Sequence, residues 1–211
     1  MTQQFPPTRD ALPAPLLQSL ADRLALHAAR ADLLDVRYDT LETPVGSLLI
    51  ALTQVGVVRI GFESEGHSQV LCDLENRVSH RIMTDRSTTP MLEVKHQLDA
   101  YFAGTLRTFS VRVDLSPLTT AFRRSVLEML PRIGYGSTGS YTEMARLAGC
   151  PTAVRAVASA LATNPVPIVL PCHRVVRSDG SVGGYLGGVE AKHWLLQRER
   201  NENSSDQRDP S

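Results

Sequence analysis

The segment that most constrains the fold of this chain lies at residues 164–174, which read Asn-Pro-Val-Pro-Ile-Val-Leu-Pro-Cys-His-Arg. Proline fixes φ and carries no N–H to donate, so a segment with three prolines cannot continue a helix. The preceding helix must therefore end at about Asn164. The apolar run 168–170 and the proline after it lead directly to Cys172, whose side chain we expect to be held rigidly and largely buried.

Cys172 has two interpretations. A free cysteine is more often a small core residue than a nucleophile. However, His173 and Arg174 adjoin it, and both would favour a thiolate if they faced the sulfur. Adjacent side chains do not normally face each other, so His173 could take the thiol proton only through a bend or a bridging water. Cys72 and Cys150 have no such neighbours, and we expect structural roles for their side chains.

The composition excludes several classes of protein. The chain has 211 residues, enough for one compact domain or two small ones, and its 42% hydrophobic content excludes wholesale disorder. No run of about 18 apolar residues occurs, so we expect no membrane-spanning helix. The first ten residues lack the features of a signal peptide, so we expect a cytoplasmic protein. Three scattered cysteines without a Cys-x-x-Cys pair form neither a disulfide framework nor a typical zinc site.

The net charge of zero conceals an asymmetry along the chain. Residues 1–116 carry a net charge of −3, residues 117–200 carry +5, and residues 201–211 carry −2. A basic second half suggests a face that meets an anion. A net charge of +5 over this many residues is modest, so random scatter explains it equally well on charge alone.

The first half of the chain has the pattern of a helix followed by a small antiparallel meander. Leucines recur at helical spacing over 15–34. The elements predicted after this helix are strands at 36–43, 48–52 and 57–62, helices at 68–78 and 91–103, and a strand at 109–115.

The second half has the pattern of a helix-turn-helix motif, in which two short helices flank a tight turn that contains glycine. Three helices with their capping residues are predicted in order: Thr120 before 121–130, Ser140 with Glu143 before 141–148, and Thr152 before 153–163. A last helix is predicted at 190–200.

The second helix of this motif has two interpretations. Its residues 153–163 are mostly small, and only Arg155 is long and polar, whereas base reading requires several such side chains on one face. Such a helix suits close approach to nucleic acid without sequence readout, and it equally suits packing against another helix. The glycine-rich stretch 180–188 matches no phosphate-binding loop, and we expect tight turns and close approach to a ligand there.

Taken together, these residues resemble the O6-alkylguanine-DNA alkyltransferases, also called methylated-DNA–protein-cysteine methyltransferases. The run 164–176 resembles the active-site signature of that family and is highly specific. Three further matches follow in the expected order and spacing, at 140–141, 155–157 and 195–199. The resemblance covers about residues 36–199.

The resemblance implies a role for each matched residue of the active site. Cys172 would be the nucleophile and permanent alkyl acceptor, His173 the base that acts through a water, and Glu199 the group that orients His173. Asn164 would donate to the pocket from the hinge before Cys172. Tyr141 would donate a proton or a hydrogen bond to the purine as it leaves.

The resemblance also implies a DNA surface and a guanine pocket. Arg155 would fill the space of an extruded nucleotide, and the residues at the DNA would be Arg155, Tyr141, Thr142, Ala156, Arg123, Cys150 and Ser178. The flipped guanine would be read by Val175, Val182, Gly183, Tyr185 and Leu186. Flipping costs a few kcal/mol, least for a weakened pair, which favours lesions. The partner would be double-stranded DNA carrying O6-alkylguanine, bound by a monomer with no cofactor, no metal and no membrane.

The fold that the resemblance implies is α+β with two domains. A small antiparallel-sheet domain, ribonuclease H-like, would span 36–115. A helical, winged-helix-like domain that carries the helix-turn-helix would span 116–200. Outside the resemblance, we expect residues 1–35 to form a helical extension and residues 201–211 a disordered tail.

The expected function is DNA repair by a single-turnover, irreversible transfer of the alkyl group of O6-alkylguanine, and of O4-alkylthymine, to Cys172. The alternative is a DNA-binding damage sensor or transcriptional regulator that uses the same helix-turn-helix. Pure binding would not need Cys172 together with His173 and Glu199. A cysteine hydrolase would need an oxyanion loop, which is not evident in the sequence, and would turn over.

Overall fold

The computed structural model describes residues 34–206 and, before them, Ser19, Leu20 and Arg23, with side chains described as far as Asn201. Those three early residues are in helical conformation. The remainder of the helix predicted before residue 34 lies outside the described residues, as do residues 207–211 of the predicted tail.

The described part of the first half contains four strands: β1 (Val36–Leu41), β2 (Leu48–Leu52), β3 (Val57–Phe62) and β4 (Ile82–Thr84). They form one sheet in the order β3-β2-β1-β4. The antiparallel meander predicted for the first three strands is confirmed. β4 pairs in parallel with β1, so the sheet is mixed rather than antiparallel. The sequence did not predict β4 because three half-buried residues are too few to show an alternation.

Both faces of this sheet are covered, and β2 is buried at every position. Successive side chains of a strand point to opposite faces. One set joins the main core, which continues into α2 (Thr89–Ala103) and the second half of the chain: Leu48, Ile50 and Leu52. The other set packs against α1 (His67–Arg77): Leu49 and Ala51.

The strand predicted at 109–115 is wrong. The segment is irregular and makes a single bridge, in which Val113 lies beside Val57 at the start of β3. The N–H of Val57 donates to the carbonyl of Arg112 at 2.8 Å, and the N–H of Asp114 donates back to Val57 at 2.8 Å. The apolar residues of the segment, such as Phe109, pack on the main core, so their alternation reflects packing and not a strand ladder.

The second half is mostly helical. Its elements are α3 (Ala121–Glu128), a parallel pair of two-residue strands, β5 (Gly139–Ser140) and β6 (Val175–Val176), and the helices α4 (Tyr141–Leu147), α5 (Val154–Ala162) and α6 (Gly188–Asp206). Two predicted helix starts are confirmed. The hydroxyl of Thr120 accepts from the N–H of Arg123, and Ser140 with Glu143 forms a capping box.

Two details predicted for this half are wrong. Thr152 lies in the turn before α5, so the capping position falls to Ala153, which has no side-chain oxygen to accept a hydrogen bond. α6 continues past Arg200 to Asp206, into the predicted tail. Residues 201–206 contain neither glycine nor proline, so the helix meets no breaker there.

β3 joins the two halves at the start of the proline segment. The N–H of Ile60 donates to the carbonyl of Pro165 at 2.8 Å. Two residues further along β3, the ring of Phe62 packs edge-on against Tyr185, with centroids 5.5 Å apart. A Cβ at Gly187 would lie 2.6 Å from the Phe62 ring, so only glycine allows the loop to approach the sheet this closely. The sheet therefore fixes the position of the proline segment and of the glycine-rich loop, the two segments on either side of Cys172 in the chain.

Candidate active site

The proline segment places Cys172 on a short 3₁₀ turn that begins directly after Pro171. Before it, Ile168 has a φ of +74°, the one positive φ at a non-glycine residue in the described part of the chain. A β-branched side chain in this region is strained by about 1–3 kcal/mol. The N–H of Leu170 donates to the carbonyl of Val166 at 2.9 Å, so a hydrogen bond closes over the strained residue. The expected rigidity before Cys172 thus has a physical basis.

The side chain of Asn164, at the start of the proline segment, makes hydrogen bonds along that segment as far as Cys172. It is fully buried, and its Nδ2 donates to the carbonyl of Leu170 at 2.8 Å and to Sγ of Cys172 at 3.1 Å. Its Oδ1 accepts from the N–H of Val166 at 3.1 Å. Only 4% of Cys172 is exposed, which confirms the predicted burial. The sulfur is therefore held in one position against an amide donor.

Burial raises the pKa of Cys172 from 9.0 to about 11, which the Asn164 amide and the positive charge of Lys192 partly offset. Lys192 lies on α6, is itself buried, and donates from Nζ to the carbonyl of Val175 at 2.6 Å. The cation that acts on the sulfur is therefore Lys192, whereas Arg174 turns its guanidinium to Glu199. At neutral pH Cys172 is a thiol that needs a base.

His173 is buried and is oriented by a carboxylate. Its Nε2 lies 2.9 Å from Oε1 of Glu199, while its Nδ1 is buried and has no hydrogen-bond partner among the described residues. Burial lowers the pKa of His173 below 6.5, although Glu199 opposes this shift. The ring is therefore neutral at pH 7. The hydrogen bond to the carboxylate assigns its proton to Nε2 and leaves Nδ1 as an acceptor.

Glu199 accepts hydrogen bonds from three parts of the fold besides His173. Arg174 donates from Nε to Oε2 and from Nη2 to Oε1, each at 2.9 Å. The N–H of Gly136 donates at 3.1 Å, and the hydroxyl of Tyr101 donates at 2.8 Å. Burial alone would raise the pKa of Glu199, but His173 and Arg174 outweigh it and hold this pKa at about 2. The carboxylate therefore stays ionised and can orient His173 without taking its proton.

Tyr141 is the first residue of α4 and is close enough to Cys172 to interact with it electrostatically. Burial and then the neighbouring Cys172 raise the pKa of Tyr141, while Arg177 opposes them, so the phenol stays protonated and can donate. A Cβ at Gly183 would lie 2.6 Å from the Tyr141 hydroxyl. Because Gly183 has no side chain, the Tyr141 hydroxyl has room at this position.

The glycine-rich loop adds a second tyrosine to the site. The ring of Tyr185 is edge-on to His173, with centroids 6.3 Å apart. Val175 is buried in β6, and Val182 is half-buried in the loop. Leu186 lines a separate cavity of about 660 Å³ between the two halves of the chain. The structure therefore places Gly183 beside Tyr141 and Tyr185 beside His173, whereas places for Val182 and Leu186 in a guanine pocket stay predictions.

Most of the residues predicted to contact DNA lie in the helix-turn-helix, and several of them are exposed. Arg155 and Ala156 are exposed in the first turn of α5, and Cys150 is exposed in the turn before it. Thr142 is half-buried on α4, and Ser178 is exposed in the turn after β6. No protein side chain or carbonyl holds the guanidinium of Arg155 within the described residues, so it projects freely from this surface.

Arg123 lies at the other end of α5. Its guanidinium donates to the carbonyl of Thr163, just after the last turn of that helix. Residues 155 and 163 are separated by eight helical steps, or about 12 Å. Burial, and then the charges of Arg77 and Arg59, lower the pKa of Arg123. The side chain faces the cavity between the halves, and its contact with a phosphate stays a prediction.

Two family models match the two halves of the chain. The ribonuclease-like domain of 6-O-methylguanine DNA methyltransferase matches residues 36–115, and the DNA binding domain of the same protein matches residues 121–201. A constitutive methylated-DNA–protein-cysteine methyltransferase of Bacillus subtilis is 40% identical over 165 residues, which are 77% of this chain and 94% of the relative. This chain belongs to the 6-O-methylguanine DNA methyltransferase family.

Other members of the 6-O-methylguanine DNA methyltransferase family agree in sequence and fold. The methylated-DNA–protein-cysteine methyltransferase of Methanosarcina barkeri is 37% identical over 78% of this chain and 97% of its own. The crystal structure of an O6-methylguanine methyltransferase of Mycobacterium tuberculosis is 34% identical, with a TM-score of 0.66 over 79% of this chain and 94% of that one. A second crystal structure, from the same organism and in complex with DNA, has a TM-score of 0.66 at 33% identity. The expected α+β fold, with its ribonuclease-like and helical parts, is confirmed.

Three residues around this methyltransferase-family site were missed from the sequence. Lys192 carried a usable signal, because it is a charged residue on the buried side of a helix whose neighbour Ala191 is also buried. Tyr101 and Gly136 carried none, since each reaches Glu199 only through the tertiary fold. Within residues 34–206, no three His, Cys, Asp or Glu side chains form a group that could hold a metal ion. None of the described helices is long and apolar enough to cross a membrane.

Proposed function

We propose that this protein repairs O6-alkylguanine in double-stranded DNA by moving the alkyl group irreversibly to Sγ of Cys172. One observation carries the proposal: a buried sulfur, 3.1 Å from the amide of Asn164, is next in sequence to a histidine that lies 2.9 Å from a buried carboxylate. A DNA-binding sensor needs no such arrangement. Family membership and a DNA complex of a relative support DNA as the partner.

The first step is removal of the thiol proton. Cys172 and His173 are adjacent on the 3₁₀ turn, so we infer that one water passes the proton from Sγ to Nδ1, the free acceptor of the ring. The imidazolium that forms is stabilised by the ionised Glu199, to which it stays hydrogen-bonded. The thiolate is stabilised by the amide of Asn164 and the ammonium of Lys192.

The second step is the alkyl transfer itself. The thiolate attacks the carbon attached to O6, and an S–C bond forms as the C–O6 bond breaks. The electron pair stays with the guanine, to which Tyr141 donates a proton so that the base leaves neutral. Solvent then restores the proton of Tyr141 and takes that of His173. Nothing in the site reverses a thioether, so each chain reacts once.

The alkylated base reaches the sulfur by rotating out of the duplex. The small residues of α5 suit close approach to DNA, and Arg155 fills the space that the nucleotide leaves. The pocket for the base is formed by Val175, Val182, Gly183 and Tyr185, near the reactive turn. O4-alkylthymine presents a similar alkyl ether and is the second expected substrate.

We propose that the protein acts as a monomer in the cytoplasm. The proposed mechanism uses Cys172, His173 and Glu199 of the same chain and needs no residue of a second copy, so a monomer suffices for the reaction. The cytoplasmic location is inferred from the DNA substrate.

Transfer to cysteine variants tests this function. A duplex with radiolabelled O6-methylguanine should label the wild-type protein to one equivalent, and should leave Cys172→Ala unlabelled but still able to bind the duplex. Cys72→Ala removes an exposed thiol on α1, outside the proposed DNA surface, and is the matched control, with labelling as in wild type. Labelling of Cys172→Ala, or more than one repair event per chain, would contradict the proposal. Tight DNA binding by wild type without labelling would favour the sensor.

A further inference from the structure

Tyr101 reaches the catalytic carboxylate from the other half of the chain. It lies near the end of α2, in the sheet domain, and is fully buried. Its hydroxyl donates to Oε1 of Glu199 at 2.8 Å and lies 3.4 Å from Nε2 of His173. Oε1 is the same oxygen that His173 contacts, so the tyrosine hydroxyl, the imidazole and the carboxylate meet at one point.

We propose that Tyr101 is a positioning residue for alkyl transfer, which holds Glu199 and His173 in the one arrangement that lets Nδ1 accept the thiol proton. The inference rests on the proposed function, since it gives His173 the role of base. Through Tyr101, the sheet domain would contribute directly to the alkyl transfer, in addition to supporting the helical domain.

Packing alone does not explain the hydroxyl. The Tyr101 ring lies in an aromatic cluster with Phe102, Phe109 and Tyr135, at centroid distances of 5.5, 5.3 and 6.2 Å. A phenylalanine would fill this space without bringing a polar group into the core, and an unpaired buried hydroxyl costs free energy. The hydroxyl is tolerated here because Glu199 accepts from it.

The direction of the hydrogen bond is fixed. Burial and the charge of Glu199 raise the pKa of Tyr101 well above 10, so the phenol is neutral and can only donate to the carboxylate. This donor and Nη2 of Arg174, which also donates to Oε1 at 2.9 Å, restrict the direction from which Nε2–H of His173 can reach that oxygen. Rotation of the imidazole would break its bond at that oxygen, so the ring keeps Nδ1 available for the proton of Cys172.

Removing the hydroxyl of Tyr101 should raise the pKa of His173. Without this donor the carboxylate of Glu199 is less well satisfied and attracts a proton on His173 more strongly, so the pKa of His173 rises. The acid limb of the pH–rate profile should then move to higher pH. The ring should also lose its single orientation, and the transfer rate at pH 8 should fall about tenfold, part of the 10²–10⁴-fold that a positioned base contributes.

The test compares Tyr101→Phe with wild type and two control variants, using methyl transfer from an O6-methylguanine duplex between pH 5 and 9. Tyr38→Phe makes the same chemical change on β1, away from the site. Phe109→Leu loosens the aromatic cluster but keeps the Tyr101 hydroxyl. Only Tyr101→Phe should show both the slower rate and the shifted acid limb, with unchanged affinity for the duplex. Nitrogen-15 NMR of the histidine rings should show His173 protonated at Nε2 in wild type and in mixed tautomers in Tyr101→Phe.

A rate for Tyr101→Phe within twofold of wild type, with an unmoved pH profile and unmoved His173 resonances, would overturn the positioning role. Equal losses in Tyr101→Phe and Phe109→Leu that track their thermal stability would reduce Tyr101 to a packing residue. Absence of transfer by wild type would instead contradict the proposed function, so the two failures are distinguishable.

Discussion

Cys172 combines two properties that oppose each other. A nucleophile should be a thiolate, yet burial raises the pKa of Cys172 to about 11, so only about one molecule in ten thousand is ionised at pH 7. The same burial keeps the thiol from oxidants and from adventitious alkylating agents. The proposed mechanism resolves this conflict with an oriented base, an amide donor and a buried ammonium, which together would allow the thiolate to form.

The amide of Asn164 should control the reactivity of the sulfur. Replacing it with alanine removes the donor 3.1 Å from Sγ, so the pKa of Cys172 rises further and the transfer rate falls by about tenfold for each pKa unit gained. Single-turnover transfer from the methylated duplex measures this effect. Asn76→Ala is the matched control, because Asn76 also donates to a cysteine sulfur, that of the exposed Cys72. A rate for Asn164→Ala equal to wild type would exclude the amide from thiolate stabilisation.

Stability should fall in acid, because the folded state lowers the pKa of both His173 and Glu199. A group whose pKa is lower when folded contributes stability above its unfolded pKa and loses that contribution as pH decreases. The contribution of His173 is therefore complete above 6.5 and lost below it, and that of Glu199 is complete above 4.5 and lost toward its folded pKa of about 2. Urea midpoints should decrease from pH 8 to 5.5 and further to 4. A midpoint that rises or stays level over this range would contradict the assigned shifts.

Glu199→Gln should be strongly destabilising. It leaves the guanidinium of Arg174 buried without its counter-charge, which typically costs about 3–5 kcal/mol in the free energy of unfolding. Chemical denaturation at pH 7 measures this cost. Glu190→Gln, an exposed change near the start of the same helix, should leave stability unchanged. Equal stability of the two variants would show that the carboxylate of Glu199 is not the partner that Arg174 requires.

Among the elements of the second half, the proline segment and the helix-turn-helix have different roles. The former fixes the sulfur through a strained Ile168 and the Asn164 hydrogen bonds, and the latter presents Arg155 at the surface. Asn164 lies two residues after the end of α5, so the helix proposed to meet DNA leads directly into the segment that holds Cys172.

Arg155→Ala should separate base extrusion from chemistry. The side chain is exposed at the start of α5, while every described hydrogen bond around Cys172 is made without it. Repair within a duplex should therefore slow by at least tenfold, whereas transfer from a free O6-alkylguanine base should change less than twofold, because only the duplex requires a flipped nucleotide. Arg132→Ala, another exposed arginine of the second half, should change neither rate. Equal losses with both substrates would remove Arg155 from extrusion.

An element could be predicted from the sequence when short-range patterns of residues determine it, and not when a distant partner segment does. The meander 36–62, the cap at Thr120 and the capping box of Ser140 with Glu143 follow from short-range patterns, and they were found. β4 and the β5–β6 pair exist only because a partner strand lies beside them, so their few residues carry no pattern of their own. The irregular segment 109–115 shows the reverse, since its alternation comes from packing on the core without a ladder.

The same distinction applies to the proposed site. Cys172 and His173 are adjacent, and the sequence itself singled them out. Asn164 and Glu199 were found only through the resemblance to a family. Tyr101 is 98 positions from Glu199, and no spacing predicts a contact between them. Lys192 was overlooked because a buried ammonium is expected only once the surrounding core is known.

At the scale of the whole molecule, the two halves form one reactive unit. The main core runs from the sheet through α2 into the helical half, and β3 contacts both Pro165 and Tyr185. The matched family domains begin at residue 36, so the residues before that point lie outside both of them.

Removal of residues 1–33 should therefore leave the chemistry intact. The described contacts of the proposed site come from residues 62–199, and the cut keeps the ion pair of Asp35 with Arg81 at the edge of the sheet. The transfer rate per folded molecule should stay within a few-fold of the full chain, while the thermal midpoint falls. A folded, truncated protein slowed by orders of magnitude would show that this segment belongs to the active machinery.

Transfer to Cys172 can be tested by locating the alkyl group after one reaction. The full chain is incubated with an excess of O6-methylguanine duplex and digested, and each cysteine peptide is examined by mass spectrometry. We expect one added CH2 on the peptide of Cys172, complete and permanent, with Cys72 and Cys150 unmodified in the same sample. A methyl group on either exposed cysteine, or a repaired duplex with Cys172 unmodified, would contradict transfer to Cys172.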